Sequence, residues 1–255
     1  ADEFLRVSDQ FRLGELVTES PHPVTANLSE VAKEDISAAL GLLFEVDRDV
    51  VEKYREWVES GRSEEIARVV TDALPAGWRV FFTGCGATGR LSILLDSIWR
   101  DFWQRARPKF RKDWADRTIS IMAGGDFALI KSVEGFEDIT AFGRRQLAEQ
   151  GVGKGDVVFA ITEGGETSWV IGTAWEALER GAKVYFVYNN PDDILCKHVQ
   201  RSREIIEEPR IEKINLTTGP MAITGSTRMQ ATSIQLCVML TILEMVAEGI
   251  FCRED

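Results

Sequence analysis

The chain has 255 residues, 44% of them apolar and 28% charged. That is the balance of a globular protein, long enough for one large domain or one domain with a helical extension. The 30 basic against 41 acidic residues leave a net charge of −11, which argues against nucleic acid or an anionic membrane as partner. A small phosphate remains compatible, because a few backbone amides at a helix start can hold one.

The first ten residues, ADEFLRVSDQ, are acidic with no apolar stretch, so no secretory signal is expected. Residues 1–28 read as an irregular arm, since Pro21-His22-Pro23 forbids a continuous helix. Leu28-Ser29-Glu30 then opens a helix with apolar residues at Val31, Ile36, Leu40, Leu43 and Val46. Val50, Tyr54 and Trp57 mark a second helix ending near Gly61, and Ser63 begins a third, through Ile66 and Val70, closing before Pro75. These features make residues 1–75 an arm with helices, and 76–255 a separate domain.

Beyond Pro75 short apolar runs alternate with helical segments. The runs are 78–82, 119–122, 157–161 and 184–187, with a weaker one at 205–206; the helices are 88–103, 137–150, 167–180 and 226–250. Alternation of this kind predicts an α/β fold, a parallel sheet with helices on both faces, and ligands beyond the carboxyl ends of the strands. The last helix is apolar nearly all round, as a buried helix is, and either threads the core or packs on a partner subunit. No run of about 18 apolar residues is apparent, so no membrane span is expected. The four cysteines form no CxxC pair and no metal spacing with His22 or His198. Free thiols in a reducing cytoplasm are expected, and neither metal nor cofactor.

Four motifs fall at strand ends. Thr83-Gly84-Cys85-Gly86-Ala87-Thr88-Gly89-Arg90 joins a strand to a helix, where glycines let an anion approach the helix N-terminus. It spells the dinucleotide pattern GxGxxG. The acidic residue that pattern requires about 20 positions on is missing, because the next strand ends only near Ala123-Gly124-Gly125-Asp126. Glu134-Gly135-Phe136-Glu137-Asp138 is an acidic helix start. In Ile161-Thr162-Glu163-Gly164-Gly165-Glu166-Thr167-Ser168, Thr162 and Thr167 offer hydroxyls, while Glu163 and Glu166 would repel a phosphate unless they turn away or bind sugar hydroxyls. Gly219 to Arg228 precedes the last helix, with Ser226 or Thr227 as its cap.

In this order the four motifs resemble the sugar isomerase (SIS) domain family, in the branch of N-acetylmuramic acid 6-phosphate etherases and glucokinase regulatory protein. Glu19-Ser20-Pro21 is similar to that branch's N-terminal arm. The resemblance implies a five-stranded parallel sheet in a flavodoxin-like three-layer arrangement. It also implies a phosphorylated hexose or amino sugar as ligand. Two such domains would frame that ligand, from a homodimer or from a tandem second domain if the natural chain continues past Asp255.

By the same resemblance, etherases use one glutamate to remove a proton beside the carbonyl and another to protonate the lactate leaving group. Glu137 matches the base; the acid's position is held by Ile98, with Asp96 two residues off and on another helical face. The etherases carry serine where this chain has Gly164, and lysine where it has Gln230. These departures are similar to the regulatory protein, which binds fructose phosphates without transforming them. The expected function is a sugar-phosphate sensor in which Gly84–Thr88, Glu134, Thr162, Gly164, Thr167, Ser226 and Thr227 hold the sugar or its phosphate and Glu137 accepts from sugar hydroxyls. The alternatives are an etherase or isomerase with Glu137 as base, and a scaffold whose site is dead. Trp99, Trp103, Trp114 and Trp169 are expected in core or subunit packing.

Overall fold

The computed structural model describes residues 8–10, 12–106, 113–133 and 135–254. An arm of short 3-10 turns leads into helices α1 (Leu28–Glu34), α2 (Ile36–Glu59) and α3 (Arg62–Ala73). The first break falls at Asp35, an extended residue whose carboxylate accepts from the Ala38 N–H and caps α2. Apolar spacing had put that break between Val46 and Val50; α2 runs unbroken through both. Its inner face is Val46, Val50 and Trp57, whereas Ile36 is 72% exposed.

The sheet contains β1 (Val80–Gly84), β2 (Thr118–Met122), β3 (Val157–Ile161), β4 (Lys183–Tyr188) and β5 (Ile211–Asn215). All neighbours pair in parallel, in the order β2-β1-β3-β4-β5. Between strands lie α4 (Gly86–Arg105), α5 (Phe127–Ile130), α6 (Thr140–Glu149), α7 (Ser168–Glu179), α8 (Asp192–His198) and α9 (Gln200–Glu207), and α10 (Gln230–Glu254) follows β5. The expected fifth strand at 205–206 is instead part of α9, where Ser202 and Ile205 are buried at helical spacing. The real β5 sits at the sheet's edge and buries only Ile211 and Ile214, too thin a pattern to read as a strand.

Alternate strand residues feed two cores, as a sheet covered on both faces requires. Val80, Phe82, Phe159, Ile161, Tyr185 and Val187 face one side, with α3, α4 and α10. Phe81, Val158, Ala160, Val184, Phe186 and Tyr188 face the other, with α6, α7 and α9. Val50 and Trp57 of α2, and Ile66 and Val70 of α3, join the first core. Trp99, Trp103, Trp114 and Trp169 are all buried.

Among the described residues one helix, α10, is long and apolar enough to cross a membrane by length and composition. The residue-by-residue reading missed this because Glu244 and Glu248 interrupt the apolar run. Its environment is that of a core helix. Ile234, Val238, Ile242, Val246 and Ile250, four apart, are buried against the sheet. The helix is not covered all round, however: Leu236 and Leu240 are half-buried, and Cys237, Glu244 and Glu248 face out.

Candidate functional site

The chain leaves β1 toward β2 on one side and crosses through α6 to β3 on the other. Beyond the carboxyl ends of β1 and β3 the connections diverge, leaving the crevice in which sheets of this order take ligands. The turns that follow these two strands flank it.

In the turn after β1, a Cβ on Gly84 would overlap the Thr88 carbonyl and lie 2.7 Å from the Gly89 nitrogen, so only glycine permits the tight entry into α4. Thr88 is 1% exposed. Its hydroxyl accepts from the Cys85 N–H at 3.0 Å and donates to the Cys85 carbonyl at 2.9 Å, which spends it on holding the turn. Cys85, Gly86 and Ala87 are half-buried at the start of the helix. Cys85 and Gly86 open on a cleft of about 300 Å³ whose lining also includes Arg90, Met122, Lys131 and Glu137. The Glu137 carbonyl accepts from the Trp169 N–H at 2.8 Å, tying this segment to α7. Glu134 lies outside the described residues. Burial pushes the Cys85 thiol up to about 12, helped by the charges of Glu137, Glu163, Glu166 and Asp138. The thiol therefore stays protonated, and four carboxylates act on one turn.

In the turn after β3, Thr162 is 1% exposed. Its hydroxyl lies 3.0 Å from that of Thr167 and accepts from the Gly165 N–H at 3.3 Å. Glu163 is buried and accepts from the Thr232 hydroxyl at 2.9 Å. Burial pushes its carboxyl up to about 7; Thr232 and Arg228 oppose the shift and Glu166 adds to it. Glu166 Oε2 is buried with no hydrogen-bond partner. Burial raises this carboxyl too, Arg201 opposing and Glu19 adding. A Cβ on Gly164 would overlap Glu166 Oε2 and lie 2.7 Å from its Cδ.

Ser226 and Thr227 were expected to cap the last helix. They do not, because α10 starts at Gln230 and they occupy the turns before it. Met229 N–H closes on the Ser226 carbonyl at 3.0 Å, and the Thr227 carbonyl accepts from Thr232, through its N–H at 3.1 Å and its hydroxyl at 3.2 Å. Thr232 thereby joins this segment to Glu163. The N-terminal arm closes the other side. Thr18 N–H donates to Asn190 Oδ1 at 3.2 Å, and Asn190 Nδ2 donates to Thr18 Oγ1 at 3.1 Å and the Gly164 carbonyl at 2.9 Å. Glu19 Oε2 lies 2.8 Å from where a Cβ on Gly225 would stand. Asn190, Arg201, Thr232, Arg90 and Lys131 had no role in the sequence reading. Asn190 and Thr232 carry no charge and fall in no motif, and Lys131 follows an apolar stretch that reads as packing.

Ile98 lies twelve residues along α4 from Gly86, about 18 Å down the axis. It borders an apolar groove with Trp99, Phe102, Leu240 and Phe251, far from its own chain's cleft. Asp96 accepts from the Thr118 hydroxyl and from Arg100 Nε at 3.1 Å, a structural set of bonds. Among the described residues, no group of three or more His, Cys, Asp or Glu side chains could hold a metal ion.

The model of the glucokinase regulatory protein N-terminal SIS domain matches residues 63–177. The N-acetylmuramic acid 6-phosphate etherase of Clostridioides difficile (strain 630) is 30% identical over 239 residues, covering 93% of this chain and 71% of that protein. The chain belongs to the sugar isomerase domain family of phosphosugar-binding proteins. The corresponding etherase of Yersinia pestis (strain Pestoides F) is 31% identical, covering 93% of this chain and 73% of its own length. The fold is shared with the phosphoheptose isomerase GmhA of Neisseria gonorrhoeae at a TM-score of 0.54 and 14% identity, over 85% of this chain and 98% of that one. In sugar isomerase domain terms, the described motifs lie at the carboxyl ends of β1 and β3 and in the segments that close over them.

Proposed function

We propose that this sugar isomerase domain is a sugar-phosphate sensor or regulator similar to glucokinase regulatory protein, binding a phosphorylated hexose or amino sugar without transforming it. The amides at Cys85–Ala87, the hydroxyls of Thr162 and Thr167, and the Ser226–Thr227 turn receive the phosphate or sugar. Gly84 and Gly164 keep the backbone close, Thr88 holds the first turn, and Glu137 accepts from sugar hydroxyls at the cleft. Glu134 belongs to the same proposal on its sequence motif alone. In this reading residues 1–75 are the arm and helical cover of a domain at 76–255, and a second copy or tandem domain completes the site.

The observation that carries this reading is Ile98. An elimination that expels a carboxylate-bearing alkoxide needs a proton donor opposite the base, and isoleucine, at the position the resemblance gives to that donor, cannot serve. A thermal-shift titration with fructose 6-phosphate, fructose 1-phosphate, glucosamine 6-phosphate and N-acetylmuramic acid 6-phosphate tests it, since a ligand of the folded state raises the melting temperature. A saturable rise with a fructose phosphate that is recovered unchanged is expected; lactate released from the muramic sugar would overturn the sensor.

The second reading is an etherase, favoured by the names of the 30–31% identical relatives. Glu137 would be its base, and a different carboxyl its acid. Glu137→Gln would then abolish lactate release, and full activity in that variant would sink this alternative.

A further inference from the structure

Among the described residues, Glu166 has a buried carboxyl oxygen that no hydrogen bond satisfies. Leaving a carboxylate oxygen without a partner costs more than exposing it, so the position calls for a functional account. The turn is built around this side chain. Residue 164 is glycine, and any Cβ there would overlap Glu166 Oε2. The Gly164 carbonyl is held from the far side by Asn190 Nδ2 at 2.9 Å, and the Gly165 carbonyl by Ser202 Oγ at 2.8 Å. Arg201 Nε donates to the Glu166 carbonyl, not to its carboxylate. The carboxyl therefore lies in the space that a side chain at 164 would take, in the same turn as the paired Thr162 and Thr167 hydroxyls, the turn to which the proposed function brings a phosphate.

We propose that Glu166 is the gate of this seat: an internal carboxylate that occupies the anion position of the empty domain and admits a phosphorylated sugar only when it is neutralised or turned out. This inference rests on the phosphosugar reading and adds to it a residue that sets affinity and its dependence on pH. Two negative groups cannot share the turn cheaply, because like charges a few ångströms apart in a buried site repel strongly. The groups facing Glu166 decide when it yields. Glu19 of the arm and Glu163 of the same turn are acidic, Arg201 of α9 is basic, and the Cys85 thiol at the start of α4 stays neutral. Burial raises this carboxyl and Glu19 adds to the shift, while the Glu166 backbone N–H and Arg201 oppose it.

The test is isothermal titration of fructose 6-phosphate into the full chain and into Glu166→Gln, at pH 8 and pH 6. Glutamine keeps the shape and removes the charge. The variant should bind at least tenfold tighter at pH 8, and the ratio between the two proteins should be smaller at pH 6. Titration of the phosphate itself is common to both proteins and cancels in that ratio. Equal affinities at pH 8, or weaker binding by the variant, would overturn the gate and leave the phosphosugar reading standing. Binding by neither protein at millimolar ligand would overturn that reading and the gate with it. A second measurement checks the geometry without any ligand. Gly164→Ala should lower the melting temperature by several degrees in the presence of Glu166, and by less than one degree in the Glu166→Ala background. Equal losses in both backgrounds would show that the carboxyl does not fill the space beside Gly164, and the gate would fall.

Discussion

Glu163 stores a pH dependence of stability that can be worked from its surroundings. Its carboxyl is buried beneath the segment before α10, accepts the Thr232 hydroxyl at 2.9 Å, and titrates near 7 instead of 4.5. Below pH 4.5 the folded and unfolded chains both hold the proton, and the group costs nothing. Between 4.5 and 7 the unfolded chain releases it while the folded chain keeps it, so the folded state loses ground as pH rises. A shift of that size corresponds to about 3 kcal/mol, complete just above pH 7. In a chain of this length that is roughly 6 °C or more of melting temperature. Glu163→Gln removes the titration and keeps an oxygen to accept from Thr232. Urea denaturation of both proteins from pH 5 to pH 8 isolates the effect, because every other titrating group is shared. The variant should gain stability over the parent steadily from pH 5 to 7, with a plateau above. Parallel curves across that range would refute the assignment of a buried, partly protonated Glu163.

Three further outcomes follow from the same geometry. Trp169 is fully buried and donates from Nε1 to Gln146 Oε1 at 2.8 Å, so Trp169→Ala should cost about 3–5 kcal/mol in urea denaturation. Asp96 bonds to Thr118 and Arg100 on the far side of the domain from the cleft; Asp96→Asn should cost about 2 kcal/mol and leave fructose 6-phosphate affinity within twofold. Cys85, with its thiol pushed up to about 12, should be the last cysteine alkylated by iodoacetamide at pH 8 and exposed Cys252 among the first, as followed by peptide mass spectrometry.

What the sequence made legible is what repeats or what glycine marks. The period-two alternation of β1, β3 and β4, each covered on both faces, is long and strong enough to show as apolar runs, and the glycine-rich turn after β1 announces its own tightness. The break at Asp35 was missed because it depends on one carboxylate reaching one N–H three residues on, which apolar spacing does not record. β5 was missed because an edge strand with two buried isoleucines, followed by the irregular 216–220 segment, offers no contrast. The helix start at Gln230 was displaced by four residues because Ser226 and Thr227 have the chemistry of a cap. Their segment instead turns toward Glu163, held by Thr232.

The site itself was half legible, and the division has a physical cause. Motifs reveal groups that need a particular backbone, so Gly84–Thr88 and Thr162–Thr167 stood out. They do not reveal groups brought in from distant segments by tertiary packing. Asn190 bonds to Thr18, 172 residues away, and to Gly164, 26 residues away, and nothing local to Asn190 predicts either. The awkward acids of the third motif show the limit most clearly. From sequence, Glu163 and Glu166 could only be said to repel a phosphate unless they turned away or bound sugar hydroxyls. One is buried under Thr232 and the other lies in the space that Gly164 leaves. A glycine two residues before a glutamate reads as an ordinary turn until the side chain is placed. Once placed, the pair explains each other: the glycine gives room to the carboxyl, and a larger residue in the glycine's position would have to push that carboxyl aside.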